Sequence, residues 1–292
     1  MTADAVRPIL VVMVWRGGRR FARCLDSIDE AQRHFSRIVL SVTAAEDSDD
    51  MRMARDFAEQ HAGVEVICTG VELPTMQHQA FWIDHLQRTG ARDEDWIYWL
   101  AYDDQVRTRG IEALVDGRGD WPLRRGTAYF GPWDTPLESW TSFPLGGPTR
   151  LPVLDWIGQQ LRQPTYMQMS GSVCPFESFV RLRDSRPRKG GPMRIEMAIA
   201  AAPPTTHVQE FAEPVSIIYG RSNSDRANYG TAARKEDVHL AAWLAQYVRR
   251  HPREAGRLVS AAAGVTGTYV RAVAGRTGLP AEQWVVRGEV LP

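Results

Sequence analysis

Two adjacent aspartates, Asp103 and Asp104, have the residue type and the position for metal or phosphate chemistry. They follow the apolar run Trp96–Tyr102, which has the length and composition of a buried strand. Carboxylates at the carboxyl end of a central strand lie where open α/β sheets bind their ligands. Mg²⁺ and Mn²⁺ prefer one or two carboxylates together with water and phosphate oxygens. The pair is therefore a candidate metal site, although an Asp-Asp pair can also do no more than cap a turn.

The elements that would position this pair alternate along the first hundred residues. Apolar, β-branched runs predict strands, and apolar residues at helical spacing predict helices. The predicted strands are Ile9–Trp15, Arg37–Val42, Gly63–Thr69 and Trp96–Tyr102, and the predicted helices are residues 19–35, 51–61 and 77–88. Repeated strand–helix–strand units predict an α/β fold with a mostly parallel central sheet flanked by helices.

The regular alternation ends near residue 110. From there to about Pro192, tryptophans, prolines and glycines are scattered among short segments, a pattern typical of long loops that shape a substrate site. A strand is predicted at Val215–Tyr219 and an amphipathic helix at residues 235–250. We therefore expect three parts, residues 1–106, residues 107–231 and a C-terminal helical extension over residues 232–292.

The composition is that of a soluble folded chain, with 292 residues of which 43% are hydrophobic and 24% charged. Because 35 basic residues balance 35 acidic ones, net charge gives no reason to expect binding to nucleic acid or to an anionic membrane. No apolar run approaches the roughly 20 residues that a membrane-spanning helix needs. The three cysteines are widely spaced and form no zinc or disulfide pattern. These features predict a cytoplasmic protein.

The N-terminal third resembles the family 2 type of inverting glycosyltransferase, which has the GT-A fold of nucleotide-diphospho-sugar transferases. The similarity lies in ILVVMVWRGG, FARCLDSI and RIVLSV, in the helix–strand–helix order of residues 51–88, and in LAYDDQV at the place of the family's DxD motif. Weaker similarity continues in SGSVCPFESF, RIEMAIAAA and EPVSIIYGRSNS, so the resemblance spans about residues 8–225. It implies that residues 1–106 bind the nucleotide sugar and residues 107–231 the acceptor.

The resemblance implies a reaction with a role for each matched residue. A family member moves a sugar from a nucleotide-diphosphate donor to an acceptor hydroxyl with inversion, and Mn²⁺ or Mg²⁺ neutralises the departing diphosphate. Asp103 matches the direct metal ligand, and Glu196 matches the base that takes the acceptor proton. By residue type alone, Glu196 could equally be a surface carboxylate on a helix. Three other carboxylates are alternatives for that base: Glu177, Glu138 and Asp134.

Further residues are candidates for contact with the substrates. On the donor side these are Trp15, Arg16, Asp47, His78, Tyr102 and Asp104. On the acceptor side, the ring of Trp133 beside Asp134 could stack on a sugar, although core packing explains most tryptophans. His207 could reach the metal or be a structural histidine. The turn Arg16–Gly18 could hold a phosphate at a helix N-terminus or simply turn the chain.

The sequence departs from the family pattern at three places. Ala101 stands where the first Asp of the DxD motif is usual, and residues 43–47 replace a DDGS motif, so the carboxylate for base recognition is Glu46 or Asp47 or is absent. Residues 77–79 replace an ARN motif whose arginine contacts the donor. These changes keep open a GT-A-like protein that binds a nucleotide sugar or a partner without catalysis. A metal-dependent nucleotidyltransferase is a third hypothesis, but the N-terminus lacks that group's glycine-rich loop.

The expected partners are a nucleotide-diphospho-sugar donor and a hydroxyl-bearing acceptor, in polysaccharide or natural-product biosynthesis. Nucleic acid and a transmembrane segment are not expected. Peripheral contact with a membrane, and a homodimer formed through the C-terminal extension, stay open. The donor base, the donor sugar and the acceptor are not encoded in any motif of the sequence.

Overall fold

A computed structural model of the chain describes residues 7–116, 123–131, 141–143, 150–152, 172–184 and 207–219. The predicted helix at residues 235–250 and the whole extension over residues 232–292 lie outside these ranges. Among the helices of the described residues, none is long and apolar enough to cross a membrane.

The first half of the chain alternates strands and helices as predicted. The elements are β1 (Ile9–Val14), α1 (Gly18–Ala31) with a 3₁₀ turn (Gln32–His34), β2 (Arg37–Val42), α2 (Asp49–Gln60), β3 (Val64–Cys68), α3 (Thr75–Arg88) and β4 (Trp96–Ala101). The later elements are β5 (Gln105–Val106), α4 (Thr108–Asp116), β6 (Leu123–Gly131), β7 (Thr141–Phe143), β8 (Arg150–Pro152), β9 (Ser172–Pro175), α5 (Phe176–Asp184) and β10 (His207–Tyr219).

The ten strands of the described residues belong to one sheet with the order β3-β2-β1-β4-β9-β6-β10-β5, to which β7 adds on β6 and β8 on β10. The pairs β1–β2, β1–β4, β2–β3 and β6–β10 are parallel and contain most of the paired residues. The remaining pairs are antiparallel. The fold is thus mixed α/β with a mostly parallel central sheet flanked by helices, which confirms the predicted fold class.

Strand β1 lies at the centre of the parallel block, between β2 and β4. All six of its residues are buried, which explains why its sequence is continuously apolar rather than alternating. Helix α1 packs on it through a face formed by Phe21, Cys24, Leu25 and Ile28. These residues recur at three- and four-residue spacing, so the helix buries one stripe and exposes its arginines.

The structure contains two long elements that the sequence did not predict. Helix α4 and strand β6 occupy a region in which only short irregular segments were expected. Strand β10 has 13 residues and begins eight residues earlier than predicted. Its pairing with β6 shifts register on either side of Pro214, which has no N–H group for a regular ladder. The first part of this strand was not predicted because its sequence contains a proline among polar residues.

Candidate functional site

The carboxyl ends of the four parallel strands β1 to β4 lie at the same edge of the sheet. The loops that follow these strands are residues 15–17, 43–48, 69–74 and 102–104. Most donor-side residues predicted from the sequence lie in them: Trp15, Arg16, Asp47, Tyr102, Asp103 and Asp104. We call this edge the carboxyl edge.

Asp103 lies where β1 and β4 end side by side. The N–H of Tyr102 donates to the carbonyl of Met13 at 3.2 Å and so extends the β1–β4 pairing by one residue. The next side chain, Asp103, is 20% exposed, and its Oδ2 lies 3.8 Å from Nη1 of Arg20 in the first turn of α1. The structure therefore brings the predicted metal ligand against a guanidinium that the sequence analysis did not single out.

Asp104 lies inside the protein, with 1% of its surface exposed. Its N–H donates to the carbonyl of Ala101 at 3.1 Å, which closes a tight turn after β4. Burial raises the pKa of Tyr98 and of Cys24, and the negative charge of Asp104 raises both further. The carboxylate thus faces a buried phenol and a buried thiol. The sequence analysis predicted that Asp104 contacts a substrate. In this structure such a contact requires that the carboxylate first become exposed.

The turn between β1 and α1 packs tightly on Tyr102. A Cβ at Gly17 would lie 2.5 Å from Cβ of Phe21 and 3.2 Å from Cδ2 of Tyr102. Only a residue without a side chain allows the backbone to approach this closely. Gly17 therefore fixes the spacing between the start of α1 and the loop that carries Asp103.

The N-terminus of α1 is occupied by a carboxylate from α2. The N–H groups of Gly17 and Gly18 donate to Oδ2 and Oδ1 of Asp50, at 2.8 Å and 3.0 Å. Asp50 is buried in the first turn of α2. Helix α2 begins two residues before the predicted helix 51–61, because Ser48 caps it. The N–H groups of Gly17 and Gly18 are bound to Asp50 and are therefore not available to a phosphate.

The loops after β1 and β3 are joined across the end of β2. The guanidinium of Arg16 donates to both carboxylate oxygens of Glu72 at 3.0 Å, and Nε1 of Trp15 donates to Oε2 of Glu72 at 3.5 Å. Arg16 also lies over the Trp15 ring at 5.3 Å and has a positive φ of 50°. Trp15 remains 47% exposed. Trp15 and Arg16, both predicted to contact the donor, therefore form one exposed cluster with Glu72. This cluster spans the end of β2 at the carboxyl edge.

The other predicted residues near β2 have different environments. His78, in the first turn of α3, is 2% exposed, and its Nε2 lies 2.8 Å from Oγ of Ser41. Burial lowers the pKa of His78 to about 4, so the ring is neutral at pH 7. Glu46 and Asp47 are both exposed, and Glu46 is paired with Arg55. Of the two carboxylates proposed for base recognition, Glu46 thus already has a guanidinium as partner.

Most of the acceptor side lies outside the described residues. This holds for Glu196, Trp133, Asp134 and Glu138. Glu177 is described; it lies in the first turn of α5 and pairs with Arg181. His207 is the first residue of β10, where its backbone pairs with Pro152. The assignment of the acceptor base to Glu196 stays a prediction.

Within the described residues, a metal at the carboxyl edge would need a phosphate ligand in addition to protein side chains. Among them, no group of three or more His, Cys, Asp or Glu side chains could hold a metal ion. Asp103 alone offers a partly exposed carboxylate at the β1–β4 boundary. Mg²⁺ is commonly held by one or two carboxylates, with substrate phosphates and water completing its shell. Asp103 suits that type of site, and Arg20 beside it opposes the binding of a free cation.

The fold is similar to that of solved structures, whereas two sequence comparisons found no match. No protein-family model matches the chain, and no curated protein matches its sequence. Two crystal structures of S. aureus TarS, residues 1–349, are similar in fold. The one in complex with UDP-GlcNAc has a TM-score of 0.53 at 9% identity, and the match covers 74% of this chain and 59% of that one. The other has a TM-score of 0.58 at 8% identity and covers 95% and 76%. The chain therefore shares the fold of TarS.

Proposed function

We propose that this protein is a GT-A glycosyltransferase that moves a sugar from a nucleotide-diphosphate donor to an acceptor hydroxyl, with inversion. The observation that carries the proposal is the position of Asp103, which follows the central strand β4 at the carboxyl edge, beside the N-terminus of α1. Ligands of open α/β sheets bind at this edge, where neighbouring strands lead to opposite sides. Support also comes from the shared fold of TarS, one structure of which holds UDP-GlcNAc.

The donor would lie across the carboxyl edge. The exposed indole of Trp15 offers an apolar face for the nucleobase, and Asp47 offers an accessible carboxylate for its polar groups or the ribose. Asp103 would hold Mn²⁺ or Mg²⁺, which supplies charge neutralisation for the leaving diphosphate when bound. Tyr102, fixed to β1 through its backbone N–H, keeps Asp103 at the β1–β4 boundary.

The transfer needs one base and one leaving group. We assign the base to Glu196, which would accept the proton of the acceptor hydroxyl. The acceptor oxygen then forms its bond to the anomeric carbon as the bond from that carbon to the diphosphate oxygen breaks. The diphosphate leaves with the electron pair, and attack on the face opposite to it inverts the configuration. Glu177, Glu138 and Asp134 are the alternative bases.

The proposal also includes the cellular location of the enzyme, its acceptor and its assembly. We place the enzyme in the cytoplasm because Cys24, Cys68 and Cys174 are free thiols. Its acceptor would be a sugar intermediate, a natural product or a growing polysaccharide. Peripheral contact with a membrane and a homodimer through residues 232–292 belong to this proposal, and each is open to direct measurement.

A second candidate function is nucleotide-sugar or partner binding without catalysis. Specific observations favour it: Asp104 is buried, His78 is buried and neutral, and Asp103 is already paired with Arg20. Donor consumption separates the two functions, because a binding protein would hold the nucleotide sugar intact.

The test is calorimetric titration with UDP, dTDP and GDP, each with and without Mn²⁺. We expect one diphosphate to bind only with Mn²⁺ and the variant Asp103→Asn to lose that binding while keeping its fold. The matched control is Asp93→Asn, which changes an exposed aspartate just before the opposite end of β4. Wild-type affinity in Asp103→Asn would refute the metal assignment. Failure of all three nucleotides to bind wild-type protein would refute the transferase proposal.

A further inference from the structure

Three of the backbone N–H groups at the N-terminus of α1, a common place for phosphate binding, are engaged in this protein. Asp50 accepts the N–H groups of Gly17 and Gly18, and the carbonyl of Gly17 accepts the N–H of Arg20 at 3.1 Å. The carboxylate of Asp50 thus already occupies the place of a bound anion. A diphosphate that reaches Asp103 must find its positive charge on side chains instead.

Two other cationic candidates near this edge have partners of their own. Arg16 makes a two-bond pair with Glu72, which neutralises its charge locally. His78 is buried against Ser41 and is neutral at pH 7. Neither group carries a net positive charge towards Asp103.

Arg20 contacts Asp103 itself. It stands in the first turn of α1, its side chain is 37% exposed, and its Nη1 lies 3.8 Å from Oδ2 of Asp103. This distance is within ion-pair range but beyond that of a hydrogen bond. The planar set of donors of a guanidinium is well matched to a phosphate, so Arg20 is a candidate ligand for a phosphate that reaches Asp103.

We propose that Arg20 binds the donor diphosphate and that, in the free protein, it occupies Asp103 in place of a metal ion. This assignment rests on the proposed function. Arg20 and a divalent cation are alternative partners of the Asp103 carboxylate, because two positive charges at one carboxylate repel each other. When a metal–diphosphate complex arrives, Arg20 releases Asp103 and donates to phosphate oxygens. Arg20 thus weakens the binding of a metal ion when no donor is present. When a metal ion is present, Arg20 strengthens the binding of the donor.

The test uses two opposite changes in affinity measured on the same variants. Arg20→Gln removes the charge, Arg20→Lys keeps a charge without the planar fork, and Arg19→Gln is the control on the neighbouring, exposed residue. Titration with Mn²⁺ alone should show binding to Arg20→Gln about three- to tenfold tighter than to wild type. With saturating Mn²⁺, the diphosphate that binds wild type should bind Arg20→Gln about tenfold more weakly, with Arg20→Lys between them. Arg19→Gln should match wild type in both titrations.

The outcomes separate this assignment from the proposed function. If wild type binds a diphosphate and Arg20→Gln binds it equally well, Arg20 is not a phosphate ligand and the assignment is overturned while the function stands. If wild type binds none of UDP, dTDP and GDP, the proposed function fails, and the Mn²⁺ titration still decides whether Arg20 occupies Asp103. An unchanged Mn²⁺ affinity in Arg20→Gln overturns that occupancy. Circular dichroism of each variant establishes that it is folded.

Discussion

The buried carboxylate of Asp50 connects α2 to the start of α1, and Asp50→Asn tests how much that connection contributes to stability. Each carboxylate oxygen of Asp50 accepts one backbone N–H, from Gly17 at 2.8 Å and from Gly18 at 3.0 Å. An amide keeps one acceptor oxygen and replaces the other with an NH₂ group, which is a donor. In either orientation, one glycine N–H of the variant faces another donor.

The size of the effect follows from these two bonds. Losing a hydrogen bond to a charged group costs roughly 1.5–3 kcal/mol, and the remaining bond becomes neutral and weaker. Removal of a negative charge from the N-terminus of α1 costs roughly 0.3–1 kcal/mol more. The free energy of unfolding should therefore fall by about 2–4 kcal/mol, out of a total of roughly 5–15 kcal/mol for a folded domain.

The assay is urea unfolding at pH 7 followed by circular dichroism, with Asp49→Asn as the matched control. Asp49 precedes Asp50 in the same turn of α2 but is exposed and pairs with Arg52 three residues later. Exposed ion pairs contribute roughly 0–1 kcal/mol, so the control should stay close to wild type. If Asp50→Asn loses no more stability than Asp49→Asn, the two glycine bonds do not hold the β1–α1 turn, and the reasoning is refuted.

Two further predictions concern neighbouring glycines and a buried histidine. Gly17→Ala should destabilise the protein by roughly 1–3 kcal/mol, because its Cβ would lie 2.5 Å from Cβ of Phe21. Gly18→Ala meets open space but keeps a φ of 51°, so it should cost only about 1 kcal/mol. A urea midpoint of Gly17→Ala no lower than that of the wild-type protein would contradict the packing argument. The pKa of His78 in the folded protein is about 4, below the roughly 6.5 of an unfolded chain, so the unfolded chain takes up the proton first as the pH falls. The stability from neutral His78 is present above pH 6.5 and is lost towards pH 4, by at most about 3 kcal/mol. His78→Gln should flatten this part of the stability curve, and an unchanged pH dependence would contradict the burial argument.

The first seven elements could be predicted because local sequence alone determines them. The run at Ile9–Val14 is apolar throughout because both faces of that strand are covered, and α1 shows its buried stripe at regular spacing. Helix α4 and strand β6 were missed because polar residues and glycines interrupt their patterns. Strand β10 was predicted only after Pro214, where its apolar run begins. The sequence pattern therefore located the elements with an uninterrupted apolar run or stripe, and missed those in which the pattern is interrupted.

The candidate site was predictable only in part, because its contacts join residues distant in sequence. Asp103 was found because it directly follows a strand. Its contact with Arg20 depends on the packing of α1 beside β4, and nothing near either residue indicates it. The same is true of Asp50, whose partners are 32 and 33 residues away. Contacts of this kind can be recognised only from the three-dimensional arrangement of the parallel strands and their helices.

The short loop after β4 determines the shape of the sheet. In the strand order, β5 lies four positions from β4, which in a flat sheet would be about 19 Å at the usual strand spacing. Only residues 102–104 connect them, and four fully extended residue steps span at most about 14 Å. A flat sheet is therefore excluded, and β9, β6 and β10 must curve out of the plane so that β5 returns to the end of β4. Consistent with this, Ser216 on β10 is one of the groups that influence Tyr98 on β4: burial raises the pKa of Tyr98, and Ser216 opposes that rise. The loop that carries Asp103 is the direct connection between the two ends of this curved part of the sheet, so a shorter loop would require a tighter curve.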